Sequence, residues 1–250
     1  MRSKFVQDQE GAGERMPPGE IAIVGRAMPE RFGPSASCAS TATAFFRRAD
    51  RPPHRAVLGD HLDMAELWFP DPPLAGDVVL LRPWREADVP GIVLAFSDPV
   101  MQRFSWRSAP YTETDAREYV AEQGEARLRG DALDFALVEP HDQDVVLGAV
   151  SLHEVRLDKG CATVGYWLAH DARGRGAATQ AVSLLARWTF AELGLARLEL
   201  TCGPDNKASQ HVAERCGFSR EGLLRSHVPF KGARRDSVIY SLLPGELRLG

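Results

Sequence analysis

The chain has 250 residues, 44% of them hydrophobic, with a formal net charge of -4 and a pI near 6.0. That length can bury one sizeable core with residues to spare, and the mild acidity excludes the global basic field that drives binding to a phosphate backbone. Nucleic acid is therefore not an expected partner.

The apolar runs "IAIV" at 21–24 and "GIVLAF" at 91–96 are too short to span a bilayer, and the N-terminus lacks a signal-peptide core. No membrane partner and a cytoplasmic location are expected. Cys38, Cys161, Cys202 and Cys216 form no C-x-x-C pair, so neither a zinc site nor a dithiol motif is signalled, and no metal is expected.

Residues 1–63 carry Pro, Arg, Gly, Ser and Ala without period, as in "MPPGE" and "RRADRPPHR". They read as a disordered extension, or as residues preceding a true start at Met64. Residues 64–250 read as one mixed α/β domain. "VVLLRPW" is a strand, Glu86 to Phe96 a short helix, and Thr112 to Arg129 a second helix with Thr112 and Asp115 suited to its first turn. "LDFALVEP", "VVLGAVSLHEV" and "CATVGYWLAH" are consecutive strands separated by "HDQD" and "LDKG", and they predict an antiparallel meander. Ala181, Leu184, Leu185, Trp188 and Ala191 recur at helical spacing up to Gly194. "ARLELTC" is a strand, Asp205 to Cys216 a helix, and "GLLRSHVPF" and "DSVIYSLL" are closing strands.

Between the last meander strand and the following helix stands "HDARGRGAATQA", residues 170–181. Glycines at a strand-to-helix turn permit close backbone approach, and the free amides of a helix N-terminus attract anions. A dinucleotide fingerprint would need glycine at Thr179 and a parallel βαβ unit, and a Walker A loop would need a closing Gly-Lys-Ser/Thr. Neither is present, which excludes a nucleotide-binding oxidoreductase on the residues themselves. What remains is R-x-x-G-x-A, filled by Arg173, Gly176 and Ala178.

That pattern resembles the pyrophosphate loop of the GNAT superfamily of acyl-CoA-dependent N-acetyltransferases. "GYWLAHDARGRGAATQAV" followed by "CGPDNKASQHVAERCGF" is similar to the RimJ/RimL-like branch, and the likeness runs from about residue 76 to residue 244. It implies a mixed, mostly antiparallel sheet flanked by helices, splayed into a V between the strands at 162–169 and 197–202. Acetyl-CoA would be the cosubstrate, with its pantetheine arm in the gap. The amides of Arg173, Gly174, Arg175, Gly176, Ala177 and Ala178 would hold the pyrophosphate, aided by the helix dipole and the two arginines.

Moving an acetyl group from a thioester to an amine needs a neutral nucleophile, an oxyanion donor and a proton for the departing thiolate. The resemblance places the oxyanion donor on a main-chain amide near Leu168. It places Asn206 and Ser209 at the start of the next helix, Asn206 contacting the cofactor and Ser209 serving as general acid or sulfur-orienting group. Ala213 stands where many relatives carry a tyrosine. The acidic positions that relatives use as base are Thr163 and Val228 here, which leaves Glu199, Glu154, His153 and His227 as candidates, Glu199 first among them. Phe104, Trp106 and Tyr111 could wall an acceptor pocket or anchor a loop, and Arg235 and Asp236 read as structural. The expected acceptor is a primary amine on a protein N-terminus or a small molecule, in a monomer or homodimer. The alternative is a non-catalytic acyl-CoA sensor.

Overall fold

A computed structural model describes residues 66–105, 107 and 109–248. Residues 1–63, Met64 and Trp106 lie outside them. The strands are β1 (Leu74–Ala75), β2 (Leu80–Arg82), β3 (Leu133–Val138), β4 (Val146–Arg156), β5 (Cys161–Leu168), β6 (Arg197–Cys202), β7 (Ser219–Phe230) and β8 (Ala233–Leu242). The helices are α1 (Val89–Phe96), α2 (Pro99–Phe104), α3 (Glu113–Leu128), α4 (Ala177–Trp188) and α5 (Lys207–Cys216). The strands form an eight-stranded sheet in the order β1-β2-β3-β4-β5-β6-β8-β7. Every neighbouring pair is antiparallel except β5 and β6.

Side-chain alternation along the strands feeds two cores. One face carries Phe135, Val150, Leu152, Val164, Leu198 and Tyr240, packed under α4 and α5 through Ala178, Leu185 and Val212. The other buries Ala149 and Trp167 under Ile92, Phe96, Met101 and Tyr119 of α1, α2 and α3. The meander and the closing hairpin agree with the pattern of the sequence. β4 and β5 approach so closely that a Cβ on Gly148 would lie 2.1 Å from the Trp167 carbonyl oxygen.

Thr112 caps α3 in a reciprocal box, its hydroxyl accepting from the Asp115 amide at 3.2 Å while Asp115 accepts from the Thr112 amide at 2.7 Å. The predicted helix over 86–96 is a 3-10 turn at Glu86–Asp88 running into α1. The stretch expected to be a plain loop after residue 97 contains α2, capped by Asp98, whose carboxylate accepts from the Val100 amide at 2.7 Å, with Pro99 in the first turn. No helix among the described residues is long and apolar enough to cross a membrane.

Candidate functional site

β5 and β6 run parallel and pair only at Cys161↔Arg197, Ala162↔Leu198 and Thr163↔Glu199. Both strands continue past that rung, β5 to Leu168 and β6 to Cys202. They therefore open a V-shaped cleft along Val164–Leu168. On its far side β5 pairs with β4 up to Gly148↔Leu168, and the Ala169 amide donates back to the Leu147 carbonyl at 2.9 Å. Strand alternation then turns the amides of Leu168, Tyr166 and Val164 toward the cleft.

The glycine turn closes the mouth of this cleft. Gly174 (φ 73°) and Gly176 (φ 80°) are left-handed, and a Cβ on either would meet nothing within 4 Å. Backbone conformation, not crowding, requires these glycines. Gln180 donates to the Gly176 carbonyl at 2.9 Å as the first helical bond of α4, while the amides of Gly174 to Thr179 find no backbone acceptor among the described residues. Ala177 and Ala178 are buried against the sheet. Such a row of free amides, at the positive end of a helix dipole, suits an anion.

Arg173 enters from a direction the sequence does not indicate. Its guanidinium, 5% exposed, makes an ion pair with Asp98 at 2.7 Å and donates to the Leu168 carbonyl at 3.1 and 3.3 Å. It pins the turn to the end of β5 and to the cap of α2. Arg175 stays exposed beside a cavity of about 250 Å³ that Asp77, Glu139 and His141 also line.

Asn206 caps α5, its side-chain oxygen accepting from the Ser209 amide at 3.2 Å. Ser209 is fully buried, and its hydroxyl has no hydrogen-bond partner among the described residues. A buried hydroxyl without a partner is costly unless a ligand supplies one. Ala213 is buried one turn further along.

Glu199 lies on the last rung of the β5–β6 ladder, with its carboxylate accepting from the Arg197 Nε at 2.8 Å. Arg197 also reaches Glu221 at 2.7 and 2.9 Å. These two carboxylates push the Arg197 pKa further up, and Arg197 and Ser241 pull Glu221 down to about 2. Glu154 and His227 are exposed. Phe104 and Tyr111 are core residues at 5% and 6% exposure, anchoring their segment. Asp236 accepts from the Ser226 amide at 2.7 Å, and the Arg235 guanidinium stacks 4.2 Å from the Phe230 ring, both holding the closing hairpin.

Sequence reasoning overlooked Asp134. It is 4% exposed, and it accepts from the Tyr119 hydroxyl at 3.0 and 3.1 Å. Trp84 Nε1 donates to it as well, and Ser151, its partner across the β3–β4 rung, favours its charged form. Burial raises its pKa to about 7 against these donors. His153 Nε2 lies 2.6 Å from the Ser151 oxygen, and burial lowers its pKa to about 4. The available signal was a lone carboxylate inside "LDFALV", a strand whose residues are all buried. Among the described residues no cluster of His, Cys, Asp or Glu could hold a metal ion.

Comparison with known proteins agrees with this architecture. Residues 79–219 match the acetyltransferase (GNAT) domain family. The chain is 29% identical over 167 residues to an uncharacterized N-acetyltransferase, p20, of Bacillus licheniformis, covering 66% of this chain and 93% of that one. It is 31% identical over 145 residues to the ribosomal-protein-serine acetyltransferase of Escherichia coli, covering 57% and 78%. It also superimposes on Mycobacterium smegmatis RimJ in complex with CoA-disulfide, with a TM-score of 0.60, 25% identity and coverage of 69% and 85%. A parted parallel strand pair, a glycine turn of free amides at its mouth and a family match across more than half the chain agree: this protein belongs to the GNAT acetyltransferase family, in its RimJ/RimL-like branch, and is an N-acetyltransferase.

Proposed function

We propose that the chain transfers the acetyl group of acetyl-CoA to a primary amine, on a protein N-terminus or a small molecule, by direct attack in a ternary complex. The observation that carries this reading is the cleft beyond Thr163↔Glu199 with unpartnered amides at its mouth. Acetyl-CoA, when bound, supplies an acyl carbonyl activated as a thioester. The amides of Gly174, Arg175, Gly176, Ala177 and Ala178 would hold its pyrophosphate, with the Arg173 amide at their edge already donating to the His170 carbonyl at 3.3 Å. The cleft-facing amide of Leu168 would polarise the carbonyl, a contribution worth about a hundred- to a thousandfold in rate for such donors. Ser209, held by the Asn206 cap, would orient the sulfur and return a proton to it. Glu199, engaged with Arg197, is the first-named base candidate of the sequence. The name of the Escherichia coli relative, a ribosomal-protein-serine acetyltransferase, supports a protein acceptor.

The test is calorimetric binding of acetyl-CoA to the full chain and to Gly176→Glu, which adds a negative charge and a side chain where φ is 80°. Micromolar binding by the parent, abolished in the variant, is the expected result. Release of free thiol on adding serine- or alanine-headed peptides and small amines then separates an enzyme from a sensor, since a sensor binds acetyl-CoA and yields no amine-dependent thiol. Absence of binding by the parent would remove the cofactor assignment.

A further inference from the structure

Asp134, Ser151 and Gly165 stand opposite one another on β3, β4 and β5. Gly165 is the second residue past the last β5–β6 rung, so this row ends at the cleft. At Gly165 the strand offers no side chain between the Ser151 hydroxyl and the opening. The row therefore connects a buried carboxylate to the place where the two strands part.

The carboxylate is unusual in its company. From α3 it faces Tyr119, from β4 Ser151, behind which stands His153, and from the segment after β2 Trp84. Among the described residues none of these is a cation in ion-pair contact with Asp134. The cations of neighbouring elements are spent elsewhere, Arg82 on Asp88 at 2.7 Å and Arg107 on Glu122 at 3.2 Å. Burying a carboxylate against neutral donors alone costs stability that an apolar residue there would not.

The hydrogen bonds have a direction. Ser151 has one hydroxyl proton, which can go to the Gly165 carbonyl at 3.3 Å or to Asp134, its partner across the rung. The 2.6 Å contact must then be His153 Nε2–H donating to the Ser151 oxygen, as a neutral imidazole can. When Asp134 is protonated it donates to the Ser151 oxygen instead, and the serine proton turns to the Gly165 carbonyl at 3.3 Å. The chain of donors thus has two states differing by one proton.

We propose that Ser151 and Asp134 form the proton relay of the acceptor side: the amine nitrogen gives a proton to the Ser151 oxygen as the serine proton passes to Asp134. This rests on the reading of the chain as an amine acetyltransferase. An ammonium acceptor loses one proton to the relay, and its freed lone pair forms the C–N bond as the C–S bond breaks. Asp134 then returns its proton to solvent, and the second proton that the nitrogen sheds on becoming an amide balances the one the departing thiolate takes at the Ser209 end. The sum is ammonium plus acetyl thioester giving amide, thiol and one proton. Asp134 acts through Ser151 and is a positioning residue.

The experiment measures amine-dependent thiol release by the full chain against pH from about 5.5 to 9, with acetyl-CoA and the same peptides and amines. Asp134→Asn keeps an acceptor for Trp84 and Tyr119 but takes up no proton. It should lose about a hundredfold in kcat near neutrality, flatten the acidic limb of the pH profile, recover as the pH approaches that of a free amine, and leave calorimetric acetyl-CoA binding unchanged. Ser151→Ala should reproduce this and Ser151→Thr should restore the limb. Where Asp134→Asn does not fold, the serine pair reads the same property. A folded Asp134→Asn or Ser151→Ala with parental kcat and an intact acidic limb overturns the relay alone. A parent that binds acetyl-CoA but releases no thiol with any amine overturns the relay together with the enzyme reading.

Discussion

Between about pH 4 and 7 the folded chain holds a proton on Asp134 that the unfolded chain releases, because burial raises that carboxyl to about 7. Stability from this group therefore falls as pH rises through that window and stays low above it. His153 has the opposite sign: burial lowers it to about 4 from an ordinary 6.5, so the unfolded chain binds the extra proton and stability rises with pH between those values. The two slopes oppose each other across the same serine. Asp134→Asn should unmask a gain on the order of 2 kcal/mol between about pH 4 and 6.5, and His153→Gln a loss of similar size as pH rises to about 7. Urea denaturation at both ends of the range checks the signs. At this scale the sequence was only partly legible. The glycine turn announced itself, because positive φ leaves a residue-type signature at Gly174 and Gly176. Arg173 showed its charge but not its partner, since Asp98 lies 75 residues earlier and only the fold unites them. Asp134 was hidden because strand alternation treats a lone acid as a solvent-facing residue, whereas here α3 covers that face.

Among the elements, α2 shows what was available and unread. Asp98-Pro99 is a cap followed by a residue preset for the first helical turn, a signal as good as Thr112 and Asp115 for α3. Its brevity and the aromatic, arginine-rich residues after it masked the helix. Yet α2 ties several parts of the site together. Asp98 holds Arg173, Arg103 meets Asp205 before α5 at 3.1 Å, and the Gln102 carbonyl accepts from Lys231 at the tip of the β7–β8 hairpin. The exposed Arg103 pair contributes little, whereas losing Asp98 strands a buried guanidinium and uncaps a helix. Asp98→Ala should cost about 3 kcal/mol in urea denaturation and raise the KM for acetyl-CoA, with kcat less affected. Asp98→Asn, which keeps the cap, should cost less. Thr112→Ala, which opens the α3 box far from the cleft, should cost about 1 kcal/mol without changing KM.

Taken whole, the sheet is two contiguous blocks of chain, β1 to β5 and β6 to β8, whose main chains meet along the short seam of residues 160–163 and 196–199. The fold class and the β3–β4–β5 meander were legible because hairpin turns and alternation are local, whereas the placing of β8 between β6 and β7 was not. The parting of β5 from β6 was known from resemblance alone, since no residue type encodes a missing ladder. A ligand lying in that gap and binding only the folded state should stabilise the protein by about 2.7 kcal/mol at a hundred times its Kd, raising Tm with acetyl-CoA concentration. Hydrogen exchange should slow at the same time at Val164, Tyr166 and Leu168. The short seam also bears on how the chain assembles. The β3–β4 and β4–β5 pairings and the β7–β8 hairpin join neighbours in sequence, so each block can form from nearby contacts, and the parallel junction must wait until α4 has been laid across it. The cleft would then be the last part of the sheet to acquire its shape during folding and the first to lose it when the molecule breathes.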